Sequence, residues 1–177
     1  MKKYWFFVLF LFPVLLTAQP KSVHFKKLME FLPSAELKGF TKSKPTGSTQ
    51  TVMNISSSEA EVDFNEPSTD ETGTGKSISV KIVDATFNPY IEMQYTMLGD
   101  NYTSETESGY EKFTRINGKY PGKITVNSGD FKYCVLEFSV ASKYLVTLRG
   151  DGFDDIKFLN DIISSMDLEG LSKLKAE

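Results

Sequence analysis

The sequence predicts an α+β fold, a single antiparallel sheet of about five to six strands with helices packed on one face. Three observations carry this expectation. Apolar and polar residues alternate through residues 59–64, 78–82 and 134–139; tight-turn dipeptides join the segments of the second half; and apolar residues recur at helical spacing from Phe153 to Met166. Strands joined by tight turns must run antiparallel, and helices closing one side of such a sheet complete an α+β layer.

Residues 1–19, MKKYWFFVLFLFPVLLTAQ, read as a secretory signal: two lysines, an apolar run over residues 4–16, then the small pair Thr17-Ala18. A spanning helix needs about 20 apolar residues. This run is shorter and contains Pro13. Cleavage after Ala18 or Gln19 is expected, with no cysteine at the exit to be acylated. The product is then a periplasmic or secreted protein without a stable membrane anchor, a single domain over residues 20–177.

From Ser22, the string SVHFKKLMEFLP places Val23, Leu28, Phe31 and Leu32 near helical spacing, with Ser22 as N-cap and Pro33 closing the helix. Residues 34–50 read as a loop with an apolar foothold at Leu37 and Phe40. Residues 59–64 then alternate strictly, so Ala60, Val62 and Phe64 face a core while the acids face water. Val52 and Ile55 either extend this strand or begin it with a bulge. The stretch 65–76, NEPSTDETGTGK, has no apolar anchor and is expected to be a mobile surface loop. Ile78, Val80 and Ile82 mark the next strand.

Asn88-Pro89 is a helix start, since asparagine caps free amides and proline pre-sets the first helical position. It predicts a helix over 89–98 with Tyr90, Met93 and Met97 along one side. Four strands follow, over 106–116, 119–126, 131–140 and 144–149. Asn117-Gly118 joins the first two, the dipeptide best suited to the positive φ angles of a two-residue hairpin. Ser128-Gly129-Asp130 and Ala141-Ser142-Lys143 make the other turns. Gly150-Asp151-Gly152 breaks the sheet, and Asp151 or Gly152 caps the final helix, in which Phe153, Ile156, Leu159, Ile162, Ile163 and Met166 recur. Asp167 opens a separate short turn bearing Leu168, Leu171 and Leu174.

The chain of 177 residues carries 20 basic and 23 acidic residues, a net −3. Removal of residues 1–19 takes away Lys2 and Lys3 and no acid, which leaves 18 against 23, a net −5. Lysines interleaved with acids along an acidic chain argue against nucleic acid as a partner. The lone cysteine, Cys134, rules out an internal disulfide, so folding rests on hydrophobic burial. With His24 as the only histidine, the common tetrahedral zinc sites are excluded. Asp151-Gly-Phe-Asp-Asp lacks the ligand alternation of an EF-hand loop, and capping explains its acids. The GTGK string at 73–76 lacks the glycine spacing of a phosphate loop. No cofactor is implied.

Several strings carry a resemblance: SSSEAEVDF, SISVKIVDA, ETESGYEKFTRINGKYP and KYLVTLRGDGFDDIKFLNDIISSMDLEGLSKL. Together they resemble a group of small, uncharacterised exported bacterial proteins. In that group a Glu-Ala strand precedes an Ile-rich strand with an Asp, and the chain closes with strand, Gly turn, helix and Asp-Leu-x-x-Leu. The element order is also similar to the Mog1/PsbP-like fold, a sheet backed by helices. Neither resemblance implies a catalytic residue.

The remaining signal is aromatic. Tyr90, Tyr95, Tyr102, Tyr110, Phe113, Tyr120, Phe131 and Tyr133 crowd the middle of the chain. Of these, Tyr90, Tyr95, Tyr110, Phe113 and Tyr133 are the candidates to line an apolar groove between the second helix and the sheet, with core and edge packing as the other account. The function expected is an exported, non-catalytic binding or accessory protein that recognises an envelope protein or a small apolar ligand. The alternative is a hydrolase-type enzyme in which Asp84, Glu92 and Asp151 converge in a cleft.

Overall fold

The computed structural model describes residues 21–67, 75–99 and 102–175. The signal segment 1–19 and most of the 65–76 loop lie outside these residues. The architecture corrects the expected sheet: among the described residues nine strands form one antiparallel sheet, in place of five to six, and the helices are four and short.

The chain enters through α1 (Phe25–Met29), capped by His24, whose Nδ1 accepts from the Lys26 N–H at 3.3 Å. Ser22, expected as the cap, instead bonds the Ser56 hydroxyl at 2.6 Å. Two strands follow within the expected 34–50 loop, β1 (Thr41–Lys42) and β2 (Thr46–Val52), and both pair with β3 (Ile55–Asn65). Val52 and Ile55 belong to two different strands. Between them Met53 and Asn54 take φ of 50° and 66°, a two-residue hairpin turn. After β3 comes β4 (Ser77–Asp84), and a crossover over 85–102, holding α2 (Met93–Thr96), carries the chain to the far edge of the sheet.

From that edge the chain returns strand by strand: β5 (Thr103–Thr106), β6 (Gly109–Ile116), β7 (Tyr120–Asn127), β8 (Tyr133–Val140) and β9 (Tyr144–Asp151). The expected strand 106–116 is thus split, because a tight turn at Glu107-Ser108 folds β5 back on β6 with Thr106 opposite Gly109. Asn117 and Gly118, with φ of 52° and 69°, make the expected turn, and Ala141-Ser142 make another. β9 closes the sheet against β4, with Val80 opposite Leu148. Gly150 stays inside β9, where a Cβ would meet the Phe158 ring at 2.5 Å. The closing helices are α3 (Lys157–Ser164) and α4 (Leu168–Lys173). Asp155, not Asp151, accepts the Lys157 N–H at the start of α3, and Asp167 caps α4.

Strand parity separates two faces. Ala60, Val62 and Phe64 align with Ile82, Val80 and Ile78, and then with Val146, Leu148, Phe138 and Leu136 across β9 and β8. On this inner face they meet Leu28 of α1, Leu159, Ile162 and Ile163 of α3, and Leu171 of α4 in one core. Each fully buried aliphatic side chain contributes roughly 2 kcal/mol of transfer free energy. The outer face carries Glu59, Glu61, Lys81, Thr147 and Glu137. α2 lies on this face, because Tyr95 reaches Glu137, the neighbour of core residues Leu136 and Phe138 that points the other way. Helices therefore lie on both faces, a second correction to the expected one-sided layer.

Candidate functional site

The crossover is bound to the outer face by a few buried contacts. Ile91 and Tyr95, four residues apart, turn inward and are 3% and 2% exposed. The Tyr95 hydroxyl donates to Glu137 Oε1 at 2.7 Å, and burial, followed by that carboxylate, pushes the phenol far above its ordinary range. Glu92 accepts from the Ser142 N–H at 3.1 Å and from the Ser139 hydroxyl at 3.4 Å, fixing the crossover to the β8–β9 turn. Tyr102 meets Phe113 edge-on, with ring centroids 5.4 Å apart.

These contacts settle where the five groove candidates stand. Tyr95 and Phe113 both lie buried under the crossover, as packing. Tyr110 opposes Val126 and packs at the margin of the inner core. Tyr133, next to inward Cys134, points to the outer face under the Arg149 guanidinium, 4.7 Å from its ring centre. Tyr110 and Tyr133 border a shallow recess of about 230 Å³ whose other walls include Ser104, Thr106, Glu111 and Thr125, a hydroxyl-rich lining. Tyr90 stands in solvent. The five residues do not line one groove.

The three acids of the enzymatic alternative are equally dispersed. Asp84 is buried, accepting from the Val23 N–H at 2.6 Å, the Thr86 N–H at 2.9 Å and the Thr86 hydroxyl at 2.5 Å. Asp151 takes a two-pronged bond from Arg149, at 3.0 and 2.6 Å. Asp84 is opposite Tyr144 at one end of β9 and Asp151 is at the other end, about 23 Å away at the strand rise of about 3.3 Å per residue. Glu92 is committed to the two serines.

Other chemically capable groups are likewise engaged in structure. Cys134 is wholly buried on the inner face, and burial, then the Asp155, Asp151 and Asp154 charges, push its thiol up to about 11. His24 caps α1. On the outer face Lys81 lies 3.2 Å from Glu61 and 3.8 Å from Glu59, and the Ser79 hydroxyl donates to Glu61 at 2.7 Å. Burial raises the Glu61 carboxyl, but Ser79 and Lys81 outweigh it and the net displacement is downward. Among the described residues no group of three or more His, Cys, Asp or Glu is placed to hold a metal, and no helix is long and apolar enough to cross a membrane.

What the periodicity reading missed is the outward side of the crossover. Met93 and Met97, expected with Tyr90 along one side of the helix, are 50% and 73% exposed, while Phe87, Tyr90, Leu98 and Tyr102 are also open to solvent. These six are most of the ten large apolar side chains that the described residues leave exposed. The signal that would have found them is the spacing of Ile91 and Tyr95, which defines the opposite side of the same turn. No protein-family model matches the chain, and no curated protein or solved structure matches it either.

Proposed function

We propose that this is an exported, non-catalytic binding or accessory protein of the bacterial cell envelope, and that it holds a protein partner through the apolar ridge of the crossover. The observation that carries the reading is the ridge itself: Phe87, Tyr90, Met93, Met97, Leu98 and Tyr102 exposed on a segment anchored beneath by Ile91, Glu92 and Tyr95. Exposed apolar side chains gathered on one short, anchored segment mark an interaction site, and methionine adapts its shape to a partner at little cost. Export follows from the signal-like segment 1–19, and the resemblance to small exported bacterial proteins agrees with it. A protein partner is favoured over a small apolar ligand because the buried aromatics of this region pack against one another and the recess beside Tyr133 is walled by hydroxyls.

The test is site-specific photo-cross-linking in the exported fraction of the producing cell. A cross-linker at Met97 is expected to give a discrete product that one at Thr147, on the open outer face, does not, and Met93→Asp is expected to abolish it. An activity lost on replacing Asp84, Glu92 or Asp151 in a variant that still folds would overturn the non-catalytic reading.

A further inference from the structure

A second exposed apolar feature sits at one end of the sheet, apart from the α2 ridge. Ser58 is opposite Asp84, the last residue of β4, so Ile55, Ser56 and Ser57 carry the β2–β3 hairpin roughly 10 Å beyond it. The projecting tip bears Val52, Met53 and Ile55, which are 64%, 91% and 51% exposed. Met53 holds φ of 50° in the turn, a conformation that glycine or asparagine takes more readily. An apolar side chain there is disfavoured both by the backbone and by water.

Basic residues surround the base of this tip. Ser22 bonds Ser56, next to Ile55, which brings Lys21 to the hairpin stem. Lys21, Lys143 and Lys175 border a recess of about 200 Å³ floored by Val23, Tyr144 and Leu174. Asp84 is the only carboxylate in its lining, and its oxygens are committed to Val23 and Thr86. None of the three lysines has an ion pair among the described residues.

We propose that this end of the sheet docks on an anionic lipid bilayer, the hairpin tip entering the interface while Lys21, Lys143 and Lys175 meet the phosphate headgroups. Apolar insertion combined with clustered lysines is the chemistry by which peripheral proteins hold a charged membrane surface. Charge complementarity selects the bilayer: an apolar tip above lysines that have no ion pair among the described residues matches an apolar interior behind anionic headgroups. The chain without residues 1–19 has a net charge of −5, so an anionic surface repels the molecule as a whole and accepts it only through a locally basic end.

The experiment is vesicle co-sedimentation of the chain beginning at residue 20, which contains every described contact and omits the apolar run. Phosphatidylglycerol–phosphatidylcholine vesicles are expected to bind it and pure phosphatidylcholine vesicles to bind it at least about tenfold less, with binding weakened by added salt. Met53→Asp and the triple Lys21→Gln, Lys143→Gln, Lys175→Gln variant are each expected to lose that binding with unchanged thermal unfolding, since the replaced groups form no ion pair or core contact. Met97→Asp is expected to bind vesicles as before, which separates this surface from the crossover ridge. No binding, equal binding to the two vesicle types, or binding that survives both sets of substitutions overturns the proposal.

Discussion

The Tyr95 phenol donates to Glu137 Oε1 across 2.7 Å and so joins a one-turn helix to the face of the sheet that the core does not use. Tyr95→Phe keeps the ring and removes one hydrogen bond to a charged acceptor, an expected loss of about 1.5–3 kcal/mol. Tyr95→Ala also opens a cavity and is expected to cost about 3–5 kcal/mol. Urea unfolding measures both. Equal midpoints for the wild type and the Phe variant would show that the bond contributes nothing.

Asp84 ties the N-terminal segment to the sheet through the Val23 N–H. In Asp84→Asn, one of the two oxygens becomes an NH₂ group, which faces either the Val23 or the Thr86 donor. The expected destabilisation is about 2–4 kcal/mol, that of a buried charge-assisted contact turned unfavourable. Hydrogen exchange at the Val23 amide gives the local readout, and protection there should fall more than at the Leu136 amide.

Stability should decline in alkali. Burial raises the Cys134 thiol from its ordinary 9.0 to about 11, and burial with the Asp84 charge raises the Tyr144 phenol from 10.0 to about 12. In both cases the folded state holds its proton more tightly, so between the unfolded and folded values the unfolded chain binds fewer protons and unfolding becomes easier as pH rises. The contribution is complete below about pH 9, fades to pH 11 for the thiol, and fades from 10 to 12 for the phenol. Urea unfolding at successive pH values should show the decline, and Cys134→Ala should flatten it between pH 9 and 10. An unflattened slope in that variant would exclude the thiol as its source.

Two glycines should respond differently to alanine. At Gly122 in β7 a Cβ would come 2.4 Å from the Glu137 carbonyl oxygen and 2.5 Å from Phe138 Cβ, so two central strands must separate. Gly122→Ala is expected to cost about 3 kcal/mol, at the upper end of the range for overpacking. Gly118, at φ +69°, has open space around it, and Gly118→Ala should cost about 1 kcal/mol through backbone strain alone. A larger loss at Gly118 would mean that the β7–β8 pair yields easily.

The inward residues Ala60, Val62, Phe64, Ile78, Val80 and Ile82 were readable because alternation with period two is a property of each short segment. β2 was not readable: Thr46, Gly47, Ser48, Thr49, Gln50 and Thr51 show no apolar period, and they are a strand because β3 supplies their hydrogen-bond partners. β5 is hidden in the same way by Thr103, Ser104, Glu105 and Thr106, all exposed at an edge. All three unforeseen strands, β1, β2 and β5, lie on the margins of the sheet, where one neighbour suffices and no side chain need be buried. In the crossover, a helix of one turn has too few residues for periodicity to choose a side: the side of Tyr90, Met93 and Met97 faces solvent, and Ile91 and Tyr95 face the sheet.

The sequence by itself therefore determined the strands with an apolar period, the Asn117-Gly118 turn, the apolar side of the closing helix and the absence of a disulfide framework, because each depends on residues close together in the chain. Only the tertiary structure decided the number of strands, the outer-face position of α2, the dispersal of Asp84, Glu92 and Asp151, and the gathering of Lys21, Lys143 and Lys175 below the Met53 tip. These depend on hydrogen bonds and burial between segments 30 to 150 residues apart. No local pattern records such partners.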